Sequence, residues 1–212
     1  MIALVDYRAG NLTSVRKALA AVGAEVVVPE RPQDLESADA VIVPGVGHFG
    51  ATRALDEPWR AAIRAGVSAG RPLLGICLGM QWLFDASDEA PDLKGLGIFR
   101  GSCTRLSGRD PSEPESANVL KVPHVGWNSL ARSSSFAEAW IADGIRDGVQ
   151  VYFTHSYVAP VTPDAVATTQ HGDCFAAIVE RGSVAGVQFH PEKSGEAGLR
   201  ILRNFVARSA VH

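Results

Sequence analysis

The sequence predicts an α/β fold in which helices cover both faces of a mostly parallel sheet. Short apolar runs alternate with helical patterns through the first half of the chain, and strand patterns dominate the second half. A length of 212 residues is enough for a sizeable core, so residues 1–212 are expected to form a single domain. An apolar content of 46% and a charged content of 20% are typical of a globular protein.

Strand and helix alternate along the first half of the chain. The predicted helix at 11–22 carries apolar residues at helical spacing and ends before a glycine, and the helix at 58–69 begins with a proline. Short apolar strands are expected at 2–5, 25–28 and 41–43. Because a strand, a crossover helix and a second strand form a βαβ unit, this order predicts a parallel sheet.

The second half is predicted to consist mainly of strands and to end in a helix. Two consecutive strands are joined by Arg181-Gly182, which has the composition of a tight hairpin turn. A final helix at 195–208 has leucine and valine at helical spacing. The predicted strands of this half cover 149–153, 165–169, 175–180 and 184–189.

Cys77 ends an apolar strand, precedes a helical pattern, and is flanked two residues away on either side by Gly75 and Gly79. Glycines there permit the strained backbone of a nucleophile elbow, which would expose the sulfur at the carboxyl edge of the sheet. The positive end of the following helix would favour the thiolate. A single cysteine in an apolar run is often a core residue, but a core strand gains nothing from two glycines. Cys77 is therefore a candidate nucleophile.

A candidate base lies far down the chain, where an apolar strand ends in His190-Pro191-Glu192. Side chains at i and i+2 of a strand end project to the same side, and the proline restricts the backbone between them. Glu192 can then hold the imidazole of His190 in one tautomer while His190 exchanges a proton with a thiol. Taken alone, His190 could simply terminate a strand; together with Cys77 it indicates Cys-His-Glu catalysis.

A glycine-rich turn follows the strand at 41–43 and is expected at the same edge of the sheet as Cys77. Its backbone N–H groups could stabilise an oxyanion, and one such donor contributes about 2.7–4 kcal/mol. The alternatives are an ordinary βα loop or a phosphate cradle, although the Lys-Ser/Thr pair of a P-loop does not follow. The candidate oxyanion donors are Gly45, Val46, Gly47 and Leu78.

Composition and patterning exclude other classes of protein. A formal net charge of -3 and the lack of a basic run argue against nucleic-acid binding. No apolar stretch has membrane-spanning length and no signal-peptide pattern is present, so the chain is expected to be cytoplasmic with no membrane contact.

Cysteine and histidine spacing gives no indication of a metal site. The three cysteines, Cys77, Cys103 and Cys174, suit neither a disulfide framework nor zinc, and the latter two are expected inside sheets. Three histidines lie in unrelated segments without metal-ligand spacing, and structural or surface roles are expected for them: His124, His155 and His171. Neither a metal nor another cofactor is expected.

The string Gly75-Ile-Cys77-Leu-Gly79-Met-Gln81, followed later by His190-Pro-Glu192, resembles the triad, class I glutamine amidotransferases. Further strings resemble the glutaminase subunits of imidazole glycerol phosphate synthase, and the resemblance covers essentially the whole chain. One departure is Arg8-Ala9, where that family often has a glycine. The further strings lie at 6–7, 10–12, 44–49 and 122–128.

The resemblance implies a flavodoxin-like three-layer fold and hydrolysis of L-glutamine to glutamate and ammonia without a cofactor. It also implies a heterodimer in which the ammonia passes to a cyclase subunit shaped as a (βα)8 barrel. The cyclase would use that ammonia to make imidazole glycerol phosphate and an aminoimidazole carboxamide ribotide in histidine biosynthesis.

Roles for individual residues follow from the same resemblance, by position. Cys77 would be the nucleophile, His190 the general base and acid, and Glu192 the orienting carboxylate. The residues that would contact glutamine are Gln81, His155, Ser156 and Tyr157. Those that would face the partner are Asn11, Trp127 and Lys193.

Two other functions stay open at this point: a free-standing cysteine hydrolase, such as a γ-glutamyl hydrolase or a peptidase, and a catalytically silent binding subunit. The complete triad argues against the silent subunit. An exposed apolar patch around Val125 and Trp127 would argue against the free-standing hydrolase, which needs no such patch. The polar segment 107–116 is expected to be an exposed, mobile loop without a catalytic duty.

Overall fold

A mixed eight-stranded sheet forms the centre of the computed structural model, which describes residues 1–109, 114 and 119–210. Within the described residues, four α-helices accompany it: α1 (Leu12–Ala21), α2 (Glu57–Ser68), α3 (Leu78–Trp82) and α4 (Gly195–Ser209). The strands are β1 (Ile2–Leu4), β2 (Val26–Val27), β3 (Ala40–Val43), β4 (Leu73–Ile76), β5 (Ala86–Ser87), β6 (Ser102–Arg105), β7 (His124–Ser129), β8 (Ala131–Arg132), β9 (Gln150–His155), β10 (Tyr157–Val158), β11 (Ala165–His171), β12 (Asp173–Arg181) and β13 (Val184–Val187).

The central sheet has the order β2-β1-β3-β4-β13-β12-β11-β8. The strands from β2 to β13 in this order are parallel, and β12, β11 and β8 extend the sheet with antiparallel pairs. Strand β4 lies between β3 and β13, with Val43 paired to Gly75 and Val187 paired to Ile76. The loops after β1, β3, β4 and β13 therefore meet at one edge of the sheet.

Apolar side chains pack on both faces of this sheet. Helices α1 and α4 cover one face, where Leu19 and Phe205 are fully buried. Helices α2 and α3 cover the other face, where Ile63 and Trp82 are buried. The predicted α/β sandwich with helices on both sides is confirmed.

The predicted helices agree with the observed ones to within two residues. Helix α1 begins after Asn11, whose side chain accepts a hydrogen bond from the Ser14 N–H, so the polar residue before the apolar pattern is its N-cap. The predicted hairpin at Arg181-Gly182 is also confirmed, because Arg181 pairs with Val184. The strand expected at 25–28 is shorter and covers only Val26–Val27.

Two small sheets flank the main one and were not predicted. One has the order β10-β6-β5, and the other pairs β7 with β9. The strand expected at 149–153 is β9, and it belongs to the two-stranded sheet rather than the central one. Its neighbour β7 contains a glycine and an asparagine, which weakened its strand pattern in the sequence.

The expectation that both further cysteines lie inside sheets is wrong for Cys174. Cys103 is fully buried, whereas Cys174 is exposed on β12 because successive side chains of a strand point to opposite faces. The predicted loop at 107–116 falls largely outside the described residues. None of the described helices is long and apolar enough to span a lipid bilayer.

Candidate active site

Cys77 lies on a sharp turn between β4 and α3 with φ 52° and ψ -105°, a strained conformation for a residue other than glycine. The flanking glycines make the turn possible. A β-carbon at Gly79 would lie 1.8 Å from the Val43 carbonyl oxygen, and one at Gly75 would lie 2.7 Å from the Gly79 carbonyl oxygen. The Cys77 N–H donates to the Val187 carbonyl over 2.8 Å, which joins the turn to β13.

Two expectations about this elbow need correction. Cys77 is only 5% exposed, because the loop after β3 and strand β9 cover it, so the sulfur lies at the floor of a pocket rather than on an open edge. Helix α3 has only five residues, so its dipole is weaker than that of a full-length helix.

His190 and Glu192 form a buried pair in the turn after β13. The distance from His190 Nδ1 to Glu192 Oε1 is 2.8 Å, and the two side chains are 2% and 3% exposed. His190 Nε2 is also buried and has no hydrogen bond of ordinary geometry to any described residue. Burial alone would lower the pKa of His190, but interaction with Cys77 and then with Glu192 raises it to about 10.

Gln188, which is not among the site residues predicted from the sequence, also contacts the sulfur. Its Nε2 lies 3.6 Å from Cys77 Sγ, and its side chain is fully buried. The thiol faces the Thr154 carbonyl oxygen at 4.0 Å. The sequence did contain a signal, since Gln188 is the single polar residue in the apolar segment 184–189. A buried glutamine in such a strand needs hydrogen-bond partners.

The pocket above Cys77 has a volume of about 320 Å³ and mixed polar and apolar walls. All the residues that the sequence nominated as glutamine contacts line it, namely Gln81, His155, Ser156 and Tyr157. Glu89 lines it as well, and its Oε2 accepts a hydrogen bond from the Phe49 N–H over 2.6 Å. Nothing in the local sequence pattern singles out Glu89, because its place depends on the fold.

The peptide between Gly45 and Val46 turns its carbonyl oxygen toward the elbow. That oxygen accepts a hydrogen bond from the Leu78 N–H over 3.3 Å, while the Val46 N–H donates to the Ala9 carbonyl over 2.7 Å. Gly47 lines the pocket with φ 95°. The structure brings the four candidate oxyanion residues together, but the N–H groups of Val46 and Leu78 are both engaged within the protein.

The three histidines lie far apart in the sequence but form one cluster, and the buried His124 and His155 have hydrogen-bond partners as structural histidines do. His124 Nδ1 lies 3.1 Å from His155 Nε2, and the rings of His124 and His171 stack with centroids 4.1 Å apart. Burial first, and the neighbouring imidazoles second, lower the pKa of His124 to about 4 and that of His155 to about 3. Among the described residues, no group of three or more His, Cys, Asp or Glu is arranged to hold a metal ion.

The residues predicted to face a partner are exposed. Asn11 is the N-cap of α1, and Trp127 on β7 is 56% exposed beside Val125, which is 57% exposed. Trp127 contacts the ring of Tyr152 edge to face, with centroids 6.1 Å apart, and Lys193 Nζ lies 5.6 Å from the same ring. Strand β9 therefore carries Tyr152 on this surface and Thr154 beside Cys77.

Comparisons with known proteins identify the family of this chain. A model of the glutamine amidotransferase class-I family matches residues 3–209. Imidazole glycerol phosphate synthase subunit HisH of Gloeobacter violaceus is 47% identical over 214 residues, which cover 99% of this chain and 90% of the relative. The HisH subunit of Thermococcus kodakarensis is 43% identical over 211 residues, covering 97% and 98%. The solved structure of PurLQS from Thermotoga maritima has a TM-score of 0.71 at 19% identity over 97% of both chains, a likeness of fold alone.

Proposed function

The chain belongs to the class-I glutamine amidotransferase family and, within it, to the HisH subunits of imidazole glycerol phosphate synthase, and on that premise we propose how it works. It hydrolyses L-glutamine to glutamate and ammonia with Cys77 as nucleophile, His190 as general base and acid, and Glu192 as orienting carboxylate. The observation that carries the proposal is the buried His190–Glu192 pair, whose imidazole lies near enough to Cys77 for the sulfur to raise its pKa and whose Nε2 has no other partner among the described residues.

The chemistry proceeds in two halves. The Cys77 thiolate attacks the amide carbon of the glutamine side chain, and the carbonyl electron pair moves onto oxygen. Collapse of this intermediate breaks the C–N bond as the His190 imidazolium gives its proton to the leaving ammonia, which leaves a γ-glutamyl thioester. His190 then takes a proton from water, the hydroxide attacks the thioester, and glutamate leaves with the sulfur again free. Glu192 stabilises the imidazolium in both halves.

The pocket also suits the polar end of glutamine. Glu89 supplies a carboxylate that can pair with the α-ammonium group of the substrate, and it lines the same pocket as Cys77. Gln81, His155, Ser156 and Tyr157 provide the remaining polar wall. We assign recognition of glutamine to these side chains and to the backbone around them.

The isolated chain is in a resting state, because the two oxyanion donors are occupied. Rotation of the Gly45–Val46 peptide would break its bonds to Leu78 and Ala9 and turn the Val46 N–H toward the pocket. Both the Leu78 and the Val46 N–H would then be free for the oxyanion. We assign the trigger to a (βα)8-barrel cyclase that docks on the exposed surface around Val125 and Trp127, forms a heterodimer with this chain and receives the ammonia.

The nucleophile is tested with Cys77→Ala in the complex with the cyclase. Glutamine-dependent synthesis should be lost, while synthesis from added ammonia continues because the cyclase is intact. A glutamine-like electrophile should label Cys77 and spare the exposed Cys174, which serves as the control within the same chain. Glutamine turnover near the wild-type rate in Cys77→Ala would contradict the proposal that Cys77 is the nucleophile.

Gating is tested by steady-state glutaminase rates for the isolated chain, the complex, and the complex with cyclase ligand. A rise confined mainly to kcat is expected, because completing an oxyanion hole stabilises the transition state rather than the bound substrate. Equal kcat values in all three samples would refute gating. They would favour a hydrolase that acts alone.

A further inference from the structure

Gln188 is held by its neighbours in one orientation beside the nucleophile. Gln81 Nε2 donates to the Tyr157 carbonyl over 2.8 Å and to Gln188 Oε1 over 3.2 Å. A carbonyl can only accept, so the group of Gln81 that faces Tyr157 must be its NH₂. The same NH₂ then requires an acceptor on Gln188, and the NH₂ of Gln188 is left facing Cys77 Sγ at 3.6 Å.

This arrangement suits a charged sulfur better than a neutral one. A thiol has one proton to donate and its sulfur is a weak acceptor, whereas a thiolate accepts strongly. A hydrogen bond to the charged form of a group favours that form. Gln188 is fully buried and its donor therefore acts without competition from bulk water, which strengthens its effect on the charge.

We propose that Gln188 is a catalytic residue, which donates a hydrogen bond to the Cys77 thiolate and aims the sulfur at the pocket, and that Gln81 is the residue that positions its amide. The inference rests on the proposed function, because it takes Cys77 as the nucleophile. When Cys77 ionises, its proton passes to His190 Nε2, and Gln188 keeps both of its own protons. Gln188 therefore stabilises the ion pair of Cys77 and His190 without taking part in proton transfer.

A purely structural reading of Gln188 leads to a different expectation. If the amide only filled space and satisfied Gln81, its loss would change stability and leave the reactivity of the sulfur as it was. If it stabilises the thiolate, its loss must change how Cys77 reacts with an electrophile as the pH is varied. The other ionisable groups around the sulfur and its pocket stay in place in either case: His190 with Glu192 behind it, Tyr7, Glu89, His155 and Tyr157.

The test uses Gln188→Met, which keeps the length of the side chain and removes the donor. Iodoacetamide alkylation of Cys77 is followed by mass spectrometry across the pH range in the full chain bound to its cyclase. The exposed Cys174 is the internal reference for reagent and pH. Thermal unfolding and co-elution with the cyclase identify a variant that has failed to fold, and Gln188→Leu replaces it if needed.

The pH of half-maximal Cys77 alkylation should rise by about one unit in Gln188→Met, and Cys174 should behave as in the wild type. Glutaminase kcat should fall by about 10-fold or more at neutral pH, with KM changed by less than about 2-fold. A wild-type alkylation profile in a folded variant overturns the proposal. Failure of the proposed function looks different, since Cys77→Ala would then keep its glutamine turnover.

Gln81→Met tests the positioning role separately. It should lower the rate of Cys77 alkylation, as Gln188→Met does, because the Gln188 amide is no longer held by Gln81 with its NH₂ facing the sulfur. The double variant Gln81→Met/Gln188→Met should alkylate no more slowly than Gln188→Met alone, since Gln81 acts on the sulfur through Gln188. Additive losses in alkylation would remove Gln81 from this role.

Discussion

At the scale of single residues, three buried polar atoms around the nucleophile have no hydrogen-bond partner among the described residues: His190 Nε2, Glu192 Oε2 and Tyr7 Oη. Buried unpaired polar atoms are rare in folded proteins, so each needs a reason. In the proposed mechanism, Nε2 serves the proton transfer with Cys77. Tyr7 Oη lies against Gly45, where a β-carbon would approach it to 2.0 Å, so the hydroxyl borders the peptide that we expect to rotate.

Glu192→Gln should keep the hydrogen bond to His190 and lose the charge that stabilises the imidazolium. We expect kcat of the complex to fall by roughly 10²-fold, against 10³-fold or more for His190→Ala, which removes the proton carrier itself. Steady-state glutaminase assays at saturating glutamine measure both. Equal losses, or no loss in the Glu192 variant, would contradict the orienting role.

Tyr7→Phe should stabilise the isolated chain, because it removes a buried hydroxyl that has no partner. Burial, with a smaller effect of the Cys77 charge, raises the pKa of Tyr7 above its ordinary value, so the hydroxyl is neutral at working pH. The free energy of unfolding in urea should rise by about 1 kcal/mol. Tyr152→Phe, at a half-buried tyrosine, is the control and should change it little. A loss of stability in Tyr7→Phe would mean that the hydroxyl is paired in solution.

At the scale of elements, the loop after β3 is confined between the loop after β1 and the elbow. Val46 is bonded to Ala9 in the first of these, and Gly45 to Leu78 in the second. Arg8, next to Ala9, has φ 62°, a left-handed conformation that favours glycine. The loop after β1 thus holds the Gly45–Val46 peptide in the orientation that we propose to be the resting one.

Gly45→Ala should disturb this loop, since the added β-carbon would lie 2.0 Å from Tyr7 Oη and 2.9 Å from Leu78 Cβ. Overpacking of this kind costs about 1–3 kcal/mol, and we expect the melting temperature and the glutaminase rate both to fall. Gly10→Ala is a matched control, because its β-carbon would meet neighbours only at 3.6 Å and beyond. Equal effects of the two variants in thermal unfolding would show that close packing at Gly45 is not the cause.

At the scale of the whole molecule, the small β7-β9 sheet joins the exposed surface to the site. Trp127 pairs with Tyr152 on the outside of this sheet, and Thr154 of β9 approaches Cys77. The histidine cluster lies in the same sheet and beside β11, where His171 ends that strand. Packing between the β7-β9 sheet and the central sheet therefore affects the exposed surface, the pocket and the stability in acid.

Acid should destabilise the protein below pH 6.5. The folded pKa values of His124 and His155 lie near 4 and 3, below the ordinary 6.5, because burial and neighbouring imidazoles oppose their charging. Between the ordinary pKa of 6.5 and the lowered folded values, these two histidines bind more protons in the unfolded chain than in the folded one. The free energy of unfolding therefore falls as the pH falls, by on the order of a few kcal/mol.

Urea unfolding at a series of pH values measures this slope. His155→Gln should flatten it, because the variant lacks one of the two histidines whose charging opposes folding. A slope that is the same in the wild type and in His155→Gln would contradict the assignment to the cluster.

Local sequence chemistry was sufficient to predict the parts of this protein that depend on near neighbours. Gly75 and Gly79 mark the elbow because backbone clearance around Cys77 is set within a few residues. His190 and Glu192 meet because they lie two positions apart at a strand end. The helices were predictable for the same reason, since the spacing of their apolar residues and their capping residues can be read from a short stretch of sequence.

Only the tertiary structure decided the contacts between distant segments. Gln188 and Cys77 are 111 positions apart and meet because β13 pairs in register with β4. The orientation of the Gly45–Val46 peptide depends on Ala9 and Leu78, which belong to two other loops. Glu89 lies in the turn after β5 and is placed by the contact of that turn with the loop after β3, where it accepts a hydrogen bond from the Phe49 N–H. The histidine cluster and the exposure of Cys174 follow from sheet order and strand register. A one-residue change in register would turn these side chains to the opposite face, and that choice is made by the packing of the whole core rather than by any local string.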